Sequence, residues 1–383
     1  MPDLVKNEAE NAWKFRQALL DWYDQNGRDL PWRNHGGDAY RVIVSEMMLV
    51  QTTVAAVIPY YHRFLERFPT VTSLANADES DVLKLWEGLG YYRRARHLHA
   101  LAKAVVTDHQ GQFPTDINAL LALPGVGRYI AGAVRSFAFD LPAPILEANT
   151  IRLIARLIGL QDPVETSSSQ KTLWAEATAR VDPNRPGSFN QAMMDLGATL
   201  CSPREPACLI CPVSPHCEAF KTGLTDLIPI KTAKSPLKPG QEFSLIIKRP
   251  ADNAILLLKR LNHGLWADFW ELPTFWVSGA DPARRCELGF ECPDSNQSIQ
   301  LVECLMGLDI GPPEGALTKT VKYGVTNHKM TLQVLEAKLL KPHSDELLCP
   351  RGWAGAEFVP MPEITGRSIS TAQRKALKIP LKS

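Results

Sequence analysis

The chain has 383 residues, 45% of them hydrophobic and 22% charged, with a formal net charge of +1. These values suit two ordinary folded domains and exclude a polybasic tail, so any nucleic-acid binding must come from charge segregated onto one face. The N-terminal stretch MPDLVKNEAENAWKF has no apolar leader core, and no apolar run approaches membrane-spanning length. A soluble protein of a bacterial cytoplasm is therefore the expectation.

In chain order, residues 12–25 place Trp13, Phe15, Leu19, Leu20 and Trp22 at helical spacing. Residues 39–68 predict two helices that break around Gln51 to Val54. Residues 80–105 predict two more, broken at Gly88-Leu89-Gly90. Residues 117–139 read as helix, Pro-Gly-Val-Gly turn, helix. IRLIARLIGL (151–160) carries Ile151, Ile154, Leu157 and Ile158 on one stripe, and FNQAMMDLGATLC (189–201) leads into a cysteine cluster. The first 225 residues thus predict an all-α domain. Residues 226–240, with three prolines and three lysines, read as a linker. Short β-like runs follow (FSLIIKR, AILLLKR, MTLQVLEAKLL), so residues 241–383 predict a separate, smaller α+β domain.

Eight cysteines divide into two groups. Cys286, Cys292, Cys304 and Cys349 are scattered and read as buried thiols. Cys201, Cys208, Cys211 and Cys217 follow the spacing Cys-x6-Cys-x2-Cys-x5-Cys, close enough to enclose one metal centre. By ligand count both structural zinc and an iron–sulfur cubane fit, although zinc sites usually pair two Cys-x2-Cys knuckles and this run has one. In LPGVGRYIAGAV (123–134), Gly125 and Gly127 lack side chains. Backbone N–H groups at the following helix N-terminus can therefore approach a phosphate, a contact that reads no sequence. Alone, such a turn could join any two helices.

Placed after a helix, the cysteine spacing resembles the [4Fe–4S] motif of the endonuclease III and MutY superfamily of DNA glycosylases, and LPGVGRYIAGAV resembles its helix-hairpin-helix. Where endonuclease III-like members carry a nucleophilic lysine, this chain has Tyr129, which points to a monofunctional glycosylase and away from a lyase. LPWR (30–33), SEMMLVQTTVAAVIPYYHRF (45–64), WEGLGYYRRARHLH (86–99) and FNQAMMDLGATLC then resemble the MutY family of adenine DNA glycosylases. The resemblance spans residues 10–230 and continues more weakly beyond.

It implies roles residue by residue. Glu46 matches the catalytic acid. Its neighbours Val42, Ile43, Val44, Met47, Met48 and Leu49 should desolvate it and raise its pKa, as a donor of a proton to adenine N7 requires. Gln51 and Tyr91, with Leu89 beside them, match residues that wedge into the duplex. A second glutamine common before Gln51 is here Val50. Arg93, Arg94, Arg96 and Lys103 form either a phosphate-facing surface or a solvated helix face. The family's Asp-Gly-Asn after the hairpin is here Glu147-Ala148-Asn149. The carboxylate that would stabilise an oxocarbenium-like sugar gains a methylene, and Ala148 restricts the backbone. An acid before a helix also has a purely structural use through the helix dipole, and Asn149 either holds the site or caps IRLIARL.

Residues 255–275 resemble the Nudix-like domain of the family, which recognises 8-oxoguanine opposite the adenine. No paired glutamates follow Pro273, so recognition is expected and not pyrophosphate hydrolysis. The family's Phe-Ser-His loop corresponds here to Val325-Thr326-Asn327, then His328. The resemblance implies an adenine glycosylase acting as a monomer on double-stranded DNA with adenine:8-oxoguanine or adenine:guanine mispairs. An endonuclease III-like oxidised-pyrimidine glycosylase and a lesion-binding protein weakened by Glu147 are the alternatives.

Overall fold

The computed structural model describes residues 2–33, 36–232, 235–264, 266–278, 306, 308–311, 319–325, 327–340, 347, 349 and 353–379. Two compact units emerge: Met1–Val82 with Arg93–Lys234, and Leu83–Tyr92 with Ser235–Ser383.

Helices build the first unit. They run α1 Pro2–Asn26, α2 Ala39–Leu49, α3 Val54–Arg67, α4 Val71–Ala75, α5 Glu79–Leu85, α6 Arg93–His109, α7 Ile117–Ala122, α8 Arg128–Phe139, α9 Ala148–Ile158, α10 Ser167–Arg180, α11 Pro186–Thr199 and α12 Glu218–Lys221, the end of α5 falling in the second unit. The breaks follow cap chemistry. Asp38, Thr53 and Asp116 each accept backbone N–H bonds from the first turn of α2, α3 and α7. One core joins α1, α9, α10 and α11 through Leu19, Leu153, Ile154, Leu173, Phe189 and Leu196. Helix α10 was not expected from its polar sequence, SSSQKTLWAEATAR; only Ser169, Leu173 and Ala177 of it are buried.

Two contacts seat the segment that ends at Glu147. A Cβ at Gly132 would stand 2.2 Å from the Pro144 carbonyl oxygen, so α8 can lie against this segment only with glycine there. The Asn190 amide of α11 donates to Ser136 Oγ at 2.9 Å and to the Ala143 carbonyl at 2.8 Å.

The second unit is α+β. Seven strands, β1 Lys238–Lys248, β2 Ile255–Arg260, β3 Trp270–Glu271, β4 Thr274–Ser278, β5 Lys319–Val325, β6 His328–Lys338 and β7 Trp353–Val359, form one mixed sheet in the order β3-β2-β1-β6-β5, with β4 against β1 and β7 against β2. β1 and β6 pair in parallel from Lys238↔His328 to Lys248↔Lys338. The alternating side chains make two apolar layers, one on Leu245, Leu256 and Leu335 and one on Leu257, Leu332 and Val334. Among the described residues, helices α13 Met361–Ile364 and α14 Thr371–Ala376 follow the last strand.

The linker expected over residues 226–240 is shorter. Ile228 is buried in the first unit's core, the Ile230 carbonyl accepts from Val164 N–H, and β1 already begins at Lys238. Apolar residues between the lysines and prolines anchor both ends. Cys349 is exposed, against the expected buried thiol, while Cys286, Cys292 and Cys304 lie outside the described residues.

Candidate active site

Glu46 sits on α2 among its apolar neighbours and is 3% exposed. The far end of α2 is closed by Arg94, whose guanidinium donates to the carbonyls of Met47 (2.8 Å), Met48 (2.7 Å) and Val50 (2.6 Å). A cation on the carbonyl end of a helix is favourable, so Arg94 caps α2 from the wall of the cavity described below. Arg96 is likewise engaged, with Glu79 at 2.8 Å, whereas Arg93 and Lys103 are exposed.

Tyr129, in the first turn of α8, donates its hydroxyl to Glu46 Oε2 at 2.6 Å. Burial pushes the Glu46 carboxyl up to about 7; the Tyr129 bond opposes this, the charge of Glu147 reinforces it, and Arg33 lowers it. The same burial, with Glu46 beside it, holds the Tyr129 phenol well above its usual range. Arg33 is itself fixed by Asp195 of α11, donating at 2.7 and 2.8 Å, and Arg28 donates to the same carboxylate through its backbone N–H (2.9 Å) and Nε (2.8 Å). Burial alone would raise Asp195, but the two guanidinium groups outweigh it and keep the carboxyl below the ordinary range. Arg33 and Asp195 lie 162 residues apart, so this clamp leaves no local signal in the sequence.

Glu147 is the N-cap of α9. Its Oε1 accepts from the backbone N–H groups of Asn149 (2.9 Å) and Thr150 (3.0 Å), and Thr150 Oγ1 accepts from Glu147 N–H at 2.8 Å. This is a reciprocal capping box with Thr150 in the third position. Burial raises the Glu147 carboxyl, and the two backbone donors oppose it. Ala148 is the first residue of the helix and needs no glycine conformation there. Asn149 is not the cap. Its Oδ1 accepts from Arg152 at 3.0 Å, and the same guanidinium donates to the carbonyls of Gly197 (2.6 Å) and Cys201 (2.7 Å).

Glu46, Tyr129, Glu147 and Asn149 line one cavity of about 720 Å³, together with Gln51, Gly125 and Gly127. Gln51, exposed, takes the left-handed conformation (φ 56°) in the turn after α2. Gly125 has φ 75°, and a Cβ there would stand 2.5 Å from that of His97. Gly127 caps α8 without any side-chain hydrogen bond, and nothing stands within 4 Å of its missing Cβ. The first N–H groups of α8 are thus open to an anion.

The other candidate DNA-contacting residues lie in the second unit. Tyr91 is 62% exposed, but Leu89 is 7% exposed and offers no apolar surface to a duplex. Asn327 is exposed at the β5–β6 turn, His328 is buried at 2%, and Thr326 lies outside the described residues. The alternation along β6 turns the imidazole inward, so the turn presents Asn327 in its place.

Cys201, Cys208, Cys211 and Cys217 line a small second cavity of about 20 Å³, where Arg156 donates to Cys201 Sγ at 3.2 Å. Burial pushes the Cys211 thiol up to about 11. Among the described residues no group of three or more His, Cys, Asp or Glu side chains closes around a single-ion position. Four thiols lining one cavity beside the Arg156 guanidinium suit a metal centre of net negative charge.

Residues 44–176, which include Glu46, the hairpin and Glu147, match the HhH-GPD superfamily base excision DNA repair protein model. Adenine DNA glycosylase of Rattus norvegicus is 33% identical over 97% of this chain and 79% of its own length. That of Buchnera aphidicola (subsp. Schizaphis graminum) is 37% identical over 68% of this chain and 75% of its own. The Arabidopsis thaliana enzyme is 38% identical over 73% of this chain, which spans half of that longer protein. Among solved structures, a thermostable thymine-DNA glycosylase superposes with a TM-score of 0.52 at 30% identity, covering 56% of this chain and 99% of its own.

Proposed function

Because the chain belongs to the adenine DNA glycosylase family of base-excision repair, we propose that it hydrolyses the N-glycosidic bond of adenine mispaired with 8-oxoguanine or guanine in double-stranded DNA. The observation that carries this reading is a pair of carboxyl groups with different environments on one cavity: Glu46, buried and pushed up to about 7, and Glu147, held by backbone donors.

Adenine extruded from the duplex enters the cavity. Glu46, in its protonated form, gives its proton to N7 of adenine. Tyr129 occupies Oε2, so the proton belongs on the other oxygen. Protonation draws electrons from the bond between C1′ and N9, which breaks with its electron pair on the base. The positive charge left on the sugar faces Glu147, and water adds at C1′, releasing a proton and leaving an abasic site. No amine stands at position 129, so no Schiff base forms. Gly125, Gly127 and the open N-terminus of α8 bind a phosphate without reading sequence, and Gln51 and Tyr91 are each residues that wedge into the duplex.

Cys201, Cys208, Cys211 and Cys217 would hold a [4Fe–4S] cluster, which when bound cross-links the 201–217 segment. Arg152 bridges Cys201 to Asn149 and so ties this segment to the site. The C-terminal unit, Nudix-like in its mixed sheet, reads the base opposite, and the exposed Asn327 can hydrogen-bond to an oxidised purine. Single-turnover adenine release from an adenine:8-oxoguanine duplex tests the reading. A wild type that binds this duplex without releasing adenine, and is rescued by Glu147→Asp, overturns the catalytic role given to Glu147.

A further inference from the structure

Residues 83–92 group with the C-terminal unit although they lie early in the chain. Their loop is closed by its own bonds. Leu89 N–H donates to the Trp86 carbonyl at 3.1 Å, Trp86 Nε1 to the Gly90 carbonyl at 3.1 Å, and Gly88 N–H to the Tyr92 hydroxyl at 3.2 Å. Gly88, Gly90 and Tyr91 all take positive φ, of 95°, 77° and 50°. A tyrosine in that conformation persists only where its surroundings impose it.

The surroundings that impose it are buried. Glu87 accepts from Arg374 of α14 at 2.5 Å and from the Ile369 backbone N–H at 3.4 Å, and neither side chain of the ion pair is more than 4% exposed. On the other side of Tyr91, the Tyr92 ring meets Phe269 edge-on with centroids 4.4 Å apart. Phe269 precedes Trp270, which bridges to Ile369. The loop is therefore fastened on both flanks to neighbouring parts of the C-terminal unit, and Tyr91 projects between the fastenings.

We propose that the buried Glu87–Arg374 ion pair is a positioning device that sets the stacking residue Tyr91, so that the C-terminal unit determines wedge placement as well as recognition of the opposite base. The inference rests on the glycosylase reading, in which Tyr91 enters the duplex. Stability alone gives little reason for such a pair, since an apolar pair of the same volume is often as stable. What the pair adds is direction: one carboxylate oxygen receives both the guanidinium and the Ile369 N–H, which fixes the loop backbone one residue before Gly88.

A double-mutant cycle in the full-length chain tests it. Single-turnover adenine release and the fluorescence of 2-aminopurine placed beside the mispair are measured for wild type, Arg374→Met, Tyr91→Ala and the double variant, with thermal melts confirming folding. Arg374→Met is expected to slow release roughly ten- to a hundredfold and to restore 2-aminopurine stacking with its DNA neighbours. With Ala at position 91 it should have almost no further effect. Equal losses in both backgrounds, or wild-type rate and fluorescence in Arg374→Met, overturn the proposal. If Arg374→Met does not fold, Glu87→Gln, which keeps an acceptor at the same place, runs the same cycle with the same outcomes deciding. Wild type that releases no adenine sinks the glycosylase reading, and the fluorescence cycle still decides the ion pair.

Discussion

The hydroxyl of Tyr129 donates to Glu46 across 2.6 Å and opposes the burial that raises this carboxyl. Tyr129→Phe removes a bond that favours the charged form. The midpoint of the alkaline fall in single-turnover rate, expected near 7 in the wild type from the raised Glu46 carboxyl, should therefore move up by roughly one to two pH units, for a charge-assisted bond of about 1.5–3 kcal/mol. A midpoint that stays or falls argues against Glu46 as the acid.

Glu46 also links activity to stability. Its folded value of about 7 exceeds the ordinary 4.5, so the folded chain holds a proton that the unfolded chain releases. The stabilising contribution is whole below about 4.5 and is lost as pH rises through about 7. Glu46→Gln should slow adenine release by about a hundred- to ten-thousandfold. It should also gain stability on the order of 3 kcal/mol at pH 8 relative to wild type, with little difference at pH 4. Melts that differ by the same amount at both pH values contradict the raised carboxyl.

Glu147 separates into two functions by substitution. Glu147→Gln keeps an oxygen for the Asn149 and Thr150 donors, so stability should hold while release slows by about a hundredfold or more. Glu147→Ala loses the cap as well and should cost about 1 kcal/mol in addition. Equal release by Glu147→Gln and wild type leaves the residue only a cap.

Gly125→Ala should destabilise the hairpin by about 1–3 kcal/mol, because φ is 75° and the new Cβ would meet His97 at 2.5 Å. Binding to lesion and undamaged duplexes should weaken alike, since a phosphate contact carries no sequence information. Selective weakening on the lesion duplex would place the hairpin elsewhere in the mechanism.

Wild-type protein purified without air should be brown, and Cys208→Ser should lose that colour. Colourless wild type carrying one zinc per chain excludes the cluster.

Glu46 was readable because its helix is apolar on nearly every side, so α2 is buried whichever way the carboxyl points. The hairpin glycines were also readable locally. Arg94 was not, because a cation on a polar-looking helix gives no hint that carbonyls 44 to 47 residues away need it. Nor was the Arg28–Arg33–Asp195 clamp, nor the grouping of residues 83–92 with a sheet that begins at Lys238. Long-range polar contacts leave no periodicity behind. Helix α10 escaped because shallow burial leaves most of its surface polar.

The capping of α9 changes what the longer carboxylate at position 147 means. One of its oxygens is located by two backbone N–H groups, in an extended residue with φ −135° and ψ −179°. The helix therefore measures out where the charge stands, and the number of methylenes behind it becomes slack that the backbone can take up. A site anchored in this way tolerates variation in the reach of its acid but not in the start of its helix. Drift in this chain's catalytic power should accordingly trace to Thr150 and Arg152, which hold that start, more than to the length of Glu147 itself.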